Sequence, residues 1–160
     1  MTPSLTHPRE CSDRDLSALL RDATGPVVVE SHHGGWERPW RGLSPADWRE
    51  LGRELGEHVT GATIETRGNR ESAARHGLEV IPVVLIFVAG EVVARFTGSV
   101  PVAKVIEAVR AAQLRVRTLA AARAELETAS ASRDVLSPPV RSVLRRRTGT
   151  AARRSLARAG

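Results

Sequence analysis

Residues 69–98 read NRESAARHGLEVIPVVLIFVAGEVVARFTG, and this stretch decides the fold. A short helix is predicted over 70–76, because a glycine directly after the last helical residue marks its end. An Ile-Pro step at Pro82 then leads into the apolar run 83–88, which predicts a buried strand. A Gly turn connects this run to a second strand over 91–97, so the two strands are expected to form an antiparallel hairpin.

Helices and strands alternate upstream of this hairpin. Capping residues and apolar spacing predict, in chain order, a helix over 12–23, a strand over 26–30, a second helix and a strand over 61–66. The second helix starts either at Pro45, with Ser44 as its N-cap, or near Pro39 with a kink at Pro45. This alternation predicts a sheet with helices on both of its faces.

The C-terminal third combines helix-forming and basic residues. From Val100 onward, apolar residues recur every three to four positions as far as Leu126, which predicts a long helix. The same spacing is compatible with a coiled coil in which this helix pairs with a second helix. The prolines at 138 and 139 end this helix, and the residues beyond are too poor in apolar side chains to form a core, so disorder is predicted. This tail contains seven arginines and no acid: Arg141, Arg145, Arg146, Arg147, Arg153, Arg154 and Arg158.

Charge and composition limit the functional classes. The net charge of +6 comes from the tail, because residues 1–136 carry 17 basic against 18 acidic side chains. A basic tail of this kind docks on an acidic partner or a membrane surface, binds nucleic acid, or only keeps the chain solvated. No apolar run approaches the roughly 18 residues that span a bilayer, so a cytoplasmic protein is predicted.

Few residues are suited to disulfide or metal chemistry. Cys11 is the only cysteine, which excludes an intrachain disulfide. Residues 1–11 show no periodicity, so a loose N-terminus with Cys11 as a flexible bystander is predicted. His32 and His33 are adjacent and would point to opposite sides, so we expect a solvent-exposed loop rather than a metal site, and no cofactor.

The order of these elements resembles the thioredoxin family over about residues 12–111. The hairpin stretch matches the C-terminal half of that family, where a helix, an Ile-Pro-Thr step, a buried strand, a turn and a strand ending in glycine follow one another. In thioredoxins the loop after the second strand has the sequence W-C-G-P-C-K, whereas this chain has Trp36-Glu37-Arg38-Pro39-Trp40-Arg41. Glu37 and Trp40 therefore replace the two cysteines of the motif.

The resemblance implies that redox chemistry is lost. Disulfide exchange needs one thiolate to attack and a second thiol to resolve the mixed disulfide, and neither motif thiol is present. The resemblance also implies a cis bond at Ile81-Pro82, beside a groove where the backbone is free to pair with an extended peptide. Glu30 falls near the family's buried acid, but we interpret it as a surface residue at the strand end.

These observations predict a thioredoxin-like α/β fold, a central mixed β-sheet flanked by helices, with an extended C-terminal helix and a basic disordered tail. The predicted parts are a flexible N-terminus (1–11), a thioredoxin-like domain (12–111), a helical extension (112–136) and the tail (137–160). The predicted function is redox-inactive polypeptide binding, as a chaperone, assembly factor or scaffold, through Trp36, Glu37, Arg38, Pro39, Trp40, Ile81 and Pro82. The alternatives are thiol-disulfide exchange through Cys11 or a partner's thiol, and an oligomeric or nucleic-acid-associated structural protein that uses the C-terminal helix and tail.

Overall fold

The computed structural model describes residues 5–34, 42–78 and 80–135. These residues form, in chain order, β1 (Arg9–Cys11), α1 (Asp13–Asp22), β2 (Val27–His32), α2 (Pro45–Leu55), β3 (Thr60–Glu65), α3 (Arg70–His76), β4 (Val83–Val88), β5 (Glu91–Thr97) and α4 (Val102–Val135). The strands make one sheet in the order β1-β3-β2-β4-β5. The predicted fold class, a mixed sheet with helices and a long C-terminal helix, is confirmed.

Strand direction determines which loops lie together. β1, β3 and β2 run parallel, so the loops that follow them leave the sheet at the same edge. β4 pairs antiparallel with both β2 and β5. The start of β4 therefore lies beside the end of β2, where Val83 is opposite Ser31. This register places Pro82 next to the loop that leaves β2.

Hydrogen-bonded caps fix the starts of α1 and α2. The side chains of Ser12 and Ser44 each accept a bond from the backbone N–H three residues later, and an aspartate there accepts one from the backbone of the serine. α2 begins at Pro45, and residues 42–44 before it are not helical. The alternative of a helix that starts near Pro39 and kinks at Pro45 is therefore wrong.

The sheet separates two apolar cores, because successive residues of a strand point to opposite faces. One face of β4 presents Val84, Ile86 and Val88 to the core that contains the buried residues of α2 and α4. The other face presents Val83, Leu85 and Phe87 to the core that contains α1. Because β4 is packed against a core on each face, the start of this strand, which follows Pro82, is held in place on both sides.

The prediction of a loose N-terminus is wrong for the part of it that the structure describes. Arg9–Cys11 form β1 and pair in parallel with β3. Leu5 is 2% exposed and lies in the same core as Trp48. A three-residue strand is too short for a periodic pattern, and its order comes from pairing with β3 rather than from local propensity.

The predicted extension of the C-terminal helix is confirmed, since α4 continues for 34 residues. The chain divides into two compact units, Met1–Ala124 and Glu125–Gly160. In the first unit, Leu114 and Leu119 of α4 are 65% and 60% exposed. The predicted proline break and the arginine tail lie outside the described residues.

Candidate functional site

The loop between β2 and α2 carries five of the seven residues predicted to bind a partner. Trp36, Glu37, Arg38, Pro39 and Trp40 lie outside the described residues. The residues at its two ends are described: Gly34 follows β2, and Gly42 precedes α2. The structure therefore describes the frame to which the 35–41 loop is attached.

At the entry of the loop, Gly34 is bound by the carboxylate of Glu65. The Gly34 N–H donates to Glu65 Oε1 at 3.1 Å. The same carboxylate accepts from the N–H groups of Arg67, at 2.9 Å, and Gly68, at 2.7 Å. Hydrogen bonds from Gly34, Arg67 and Gly68 lower the pKa of Glu65, because each stabilises the charged form.

At the exit of the loop, two buried donors converge on Glu30. The Leu43 N–H donates to Glu30 Oε1 at 2.9 Å, and the Trp48 indole donates to Oε2 at 3.3 Å. Glu30 is only 6% exposed. The interpretation of Glu30 as a surface residue is therefore wrong, because these donors from the loop exit and α2 replace the water that a carboxyl group needs.

Gly42 packs directly against the Glu30 carboxyl group. A Cβ atom at this position would lie 1.7 Å from Glu30 Oε1 and 3.4 Å from Pro82 Cβ. A side chain at residue 42 would thus displace the carboxyl group, and only glycine fits the observed arrangement. Glu30, Gly42 and Pro82 consequently meet where the loop rejoins the fold.

Ile81 and Pro82 are the two predicted binding residues that the structure describes. Their peptide bond is cis, and both residues are half-buried. Val80 directly before them is 60% exposed. We call these three consecutive apolar residues the Val80–Pro82 strip. It lies next to the loop exit, because Pro82 is close to Gly42.

The sequence patterns do not identify two residues that support this site, Ser31 and Glu65. Ser31 is buried, accepts a bond from the Val83 N–H at 3.1 Å and donates to the Val83 carbonyl at 3.3 Å, which fixes the start of β4. No sequence signal distinguishes Glu65 either, since a glutamate at a strand end is common. The pair of glycines that brackets the loop was the signal available, because glycine marks close approach to other groups.

The prediction that His32 and His33 both lie in a solvent-exposed loop is wrong for His32. Its side chain is 16% exposed, and Nε2 lies 3.1 Å from both carboxylate oxygens of Glu10. His33 is exposed, and its Nδ1 lies 2.8 Å from the Thr66 hydroxyl oxygen. Within the described ranges, no group of three His, Cys, Asp or Glu side chains is arranged to hold a metal ion.

Cys11 is not the flexible residue that was predicted. It ends β1, pairs with Ile64 of β3 and is 2% exposed. Burial raises the pKa of its thiol, which disfavours the reactive thiolate. β3 lies between β1 and β2 in the sheet, and neighbouring strands are about 4.8 Å apart. Cys11 in β1 therefore lies on the order of 10 Å from β2, the strand that leads into the loop.

The seven arginines of the predicted tail lie outside the described residues, so the structure says nothing of them. None of the helices that the structure describes combines the length and apolar character needed to cross a membrane.

Comparison with known proteins relates this chain to thioredoxins. No family model matches the sequence. The thioredoxin of Rhodospirillum rubrum is 33% identical over 103 residues, which cover 64% of this chain and 97% of that protein. Thioredoxin C-2 of Corynebacterium nephridii is 30% identical over 93 residues, or 58% of this chain and 84% of that protein.

Solved structures agree on the fold. Fasciola hepatica thioredoxin superposes with a TM-score of 0.54 at 24% identity, covering 65% of this chain and 98% of that chain. A mutant thioredoxin from Halobacterium salinarum gives 0.51 at 17% identity, covering 71% and 96%. The sheet order and these superpositions define a thioredoxin-like fold. Because a third of the 103 aligned residues are identical and the alignment covers 97% of the Rhodospirillum rubrum protein, the chain belongs to the thioredoxin family.

Proposed function

We propose that this chain is a redox-inactive thioredoxin-family protein that binds extended polypeptide segments, as a chaperone, assembly factor or scaffold. The binding surface combines Trp36 and Trp40 of the 35–41 loop with the Val80–Pro82 strip. The observation that carries the proposal is a loop without cysteine whose two ends are nevertheless held by hydrogen bonds to Glu30 and Glu65. Anchors of this kind maintain a surface for binding when the chemistry of the loop is gone.

The loss of redox activity follows from the thiol count. The sequence contains one cysteine, and it lies in β1 rather than in the loop. A single buried thiol with a raised pKa provides neither the attacking thiolate nor the resolving thiol of disulfide exchange. The alternative of exchange through Cys11 thus requires β1 to leave the sheet.

Polypeptide binding is supported by the apolar groups around the loop. Val80 exposes more than half of its surface beside Pro82, and the loop adds two tryptophans and a proline. Tryptophan is enriched among residues that dominate binding energy, because it buries a large apolar area with few rotatable bonds. Extended peptides bind such surfaces with alternate side chains in apolar pockets, which needs no thiol.

Two assays on the full chain test the proposal. The first is insulin-disulfide reduction with an external reductant, where we expect the rate of a blank that contains reductant only. A rate well above this blank that is lost in Cys11→Ser would instead establish the enzyme alternative. Cys11→Ser is a suitable variant because it removes the only thiol.

The second assay measures binding of a fluorescently labelled unfolded polypeptide, reduced and carboxymethylated α-lactalbumin. The Trp36→Ala/Trp40→Ala variant should weaken binding by at least tenfold, since hot-spot tryptophans contribute about 2 kcal/mol or more each. Leu114→Ala/Leu119→Ala is the matched control, because it removes two exposed apolar side chains from α4. Equal losses in both double variants would refute a site at the loop.

Self-association through α4 is a second candidate, favoured by the exposure of Leu114 and Leu119. Sedimentation of the full chain should then show a dimer that Leu119→Arg dissociates, whereas a monomeric wild type refutes it. The tail is proposed to add an electrostatic contact with an acidic partner. Deletion of residues 137–160 should in that case lower the salt dependence of partner binding.

A further inference from the structure

A cavity of about 500 Å³ lies where the ends of α1 and α3 meet the turn between β4 and β5. β4 leads from Pro82 to this turn over six residues, which span roughly 20 Å. The cavity is therefore separate from the Val80–Pro82 strip and from the polypeptide binding proposed there. Its apolar wall comes from Leu20, Ala23 and Ala89.

Two arginines from different helices border the cavity. Arg21 lies in the last turn of α1, and Arg75 lies in the last turn of α3. Each forms an ion pair with an acid close to it in sequence, Arg21 with Asp22 and Arg75 with Glu71. All four side chains are more than half exposed, so these pairs contribute little to stability. An anion in the cavity can therefore compete for both guanidinium groups.

The half-buried side chain of His76 shows that the wall of the cavity is electropositive. Burial lowers the pKa of His76, and the guanidinium groups of Arg75 and Arg95 lower it further. Arg95 also donates to the backbone carbonyls of His76 and Gly77, and thereby covers oxygens at the end of α3 that would repel an anion. Glu91, which follows the turn, is exposed to solvent, where its charge is screened.

The turn between β4 and β5 adds backbone donors. Ala89 and Gly90 have φ angles of 51° and 81°, as in a two-residue type I′ hairpin turn. The N–H groups of these two central residues take no part in the hydrogen bond that closes such a turn. Within the residues that the structure describes, neither N–H group has a hydrogen-bond acceptor. Since both residues line the cavity, their N–H groups are available to an anion.

We propose that this cavity binds a small phosphate monoester. Arg21, Arg75 and the N–H groups of the turn belong to three different elements, which suits the tetrahedral oxygens of a phosphate better than the two coplanar oxygens of a carboxylate. Leu20 and Ala23 offer apolar surface to the organic part of the ligand. The site does not depend on the proposed polypeptide binding, and either can fail without the other.

Titration of the ¹⁵N-labelled full chain with phenyl phosphate tests the site. We expect saturable shifts of the Ala89 and Gly90 amides, with a Kd on the order of 1 mM for a ligand of this size. Arg21→Gln and Arg75→Gln should each weaken binding about tenfold, because each removes charge-assisted hydrogen bonds. Arg110→Gln is the matched control: it also removes an exposed arginine from an ion pair, and it should keep the wild-type affinity.

The imidazole of His76 provides a second readout, which a merely structural role of the two arginines would not change. Saturating phenyl phosphate should raise the pKa of His76, measured by NMR, because the bound negative charge stabilises the imidazolium form. Phenol carries the same ring without the phosphate. It should change neither this pKa nor the amide signals of the turn.

Several results would overturn the proposal. Absence of saturable shifts at Ala89 and Gly90, or equal weakening in Arg110→Gln, would rule out a site at this cavity. Benzoate that binds as tightly as phenyl phosphate would rule out selection for phosphate. Shifts confined to residues 137–160 would show that phosphate binds only the arginine-rich tail. Binding to vesicles that contain phosphatidic acid, without binding of phenyl phosphate, would identify a lipid headgroup instead of a small soluble ligand.

Discussion

Gly42→Ala should destabilise the protein by displacing the buried carboxyl group of Glu30. The new Cβ atom would lie 1.7 Å from Glu30 Oε1, so the carboxyl group must move by roughly 1.5 Å to restore an ordinary contact of about 3.2 Å. Leu43 and Trp48 are both almost fully buried, and this movement takes the acceptor from their N–H groups.

Leaving a buried donor without a partner costs about 1–3 kcal/mol. Restriction of the unfolded chain by alanine returns about 0.4–1 kcal/mol. For two donors the net loss is therefore about 1–6 kcal/mol in the free energy of unfolding, or on the order of 10 °C in Tm. Urea denaturation of the full chain measures the first quantity, and a thermal scan measures the second.

A double-mutant cycle shows whether Glu30 transmits the effect. In a Glu30→Ala background the carboxyl group is absent, so Gly42→Ala should cost less than about 1 kcal/mol. The coupling energy should then account for most of the loss in the single variant. Additive costs in the double variant, or a Gly42→Ala protein as stable as wild type, would refute the reasoning.

Three further predictions concern parts of the fold that support the site. Hydrogen bonds lower the folded-state pKa of Glu65 and Asp15, so the two carboxylates stabilise the fold above their unfolded pKa of about 4, and this stabilisation is lost as the pH falls through the lower folded values. The urea midpoints at pH 7 and pH 3 should therefore differ less in Glu65→Gln than in wild type. An equal difference in the two proteins would contradict this. Cys11, buried with a raised pKa, should react with iodoacetamide at pH 7 at least tenfold more slowly in the native protein than in guanidinium, whereas equal rates would show that β1 is open. Ser44→Ala removes the cap of α2 and should lower the free energy of unfolding, measured by urea denaturation, by about 1 kcal/mol. Equal urea midpoints for Ser44→Ala and wild type would contradict this prediction.

The sequence predicted the elements whose signals are local. The bounds of α3, β4 and β5 agree with the predicted segments, because a helix-ending glycine, an uninterrupted apolar run and a Gly turn act within a few residues. The α2 cap is equally local: Ser44 and Asp47 lie three residues apart. Such signals need no knowledge of the rest of the fold.

The missed features depend on distant partners. β1 exists because β3 offers a parallel edge 53 positions along the chain, with Arg9 opposite Ala62. Glu30 is buried because Leu43 and Trp48 bring donors to it, 13 and 18 residues away. Glutamate alone predicts exposure, and only a tertiary contact reverses that preference.

The central claim is that polypeptides bind at the loop and the Val80–Pro82 strip. A titration of the ¹⁵N-labelled full chain with unlabelled carboxymethylated α-lactalbumin tests it most directly, because the three tryptophans give three indole N–H signals. We expect the signals of Trp36 and Trp40 and the amides of Val80 and Ile81 to shift, while Trp48, buried on Glu30, changes little. Unchanged Trp36 and Trp40 signals alongside shifts confined to α4 or the tail would contradict the account.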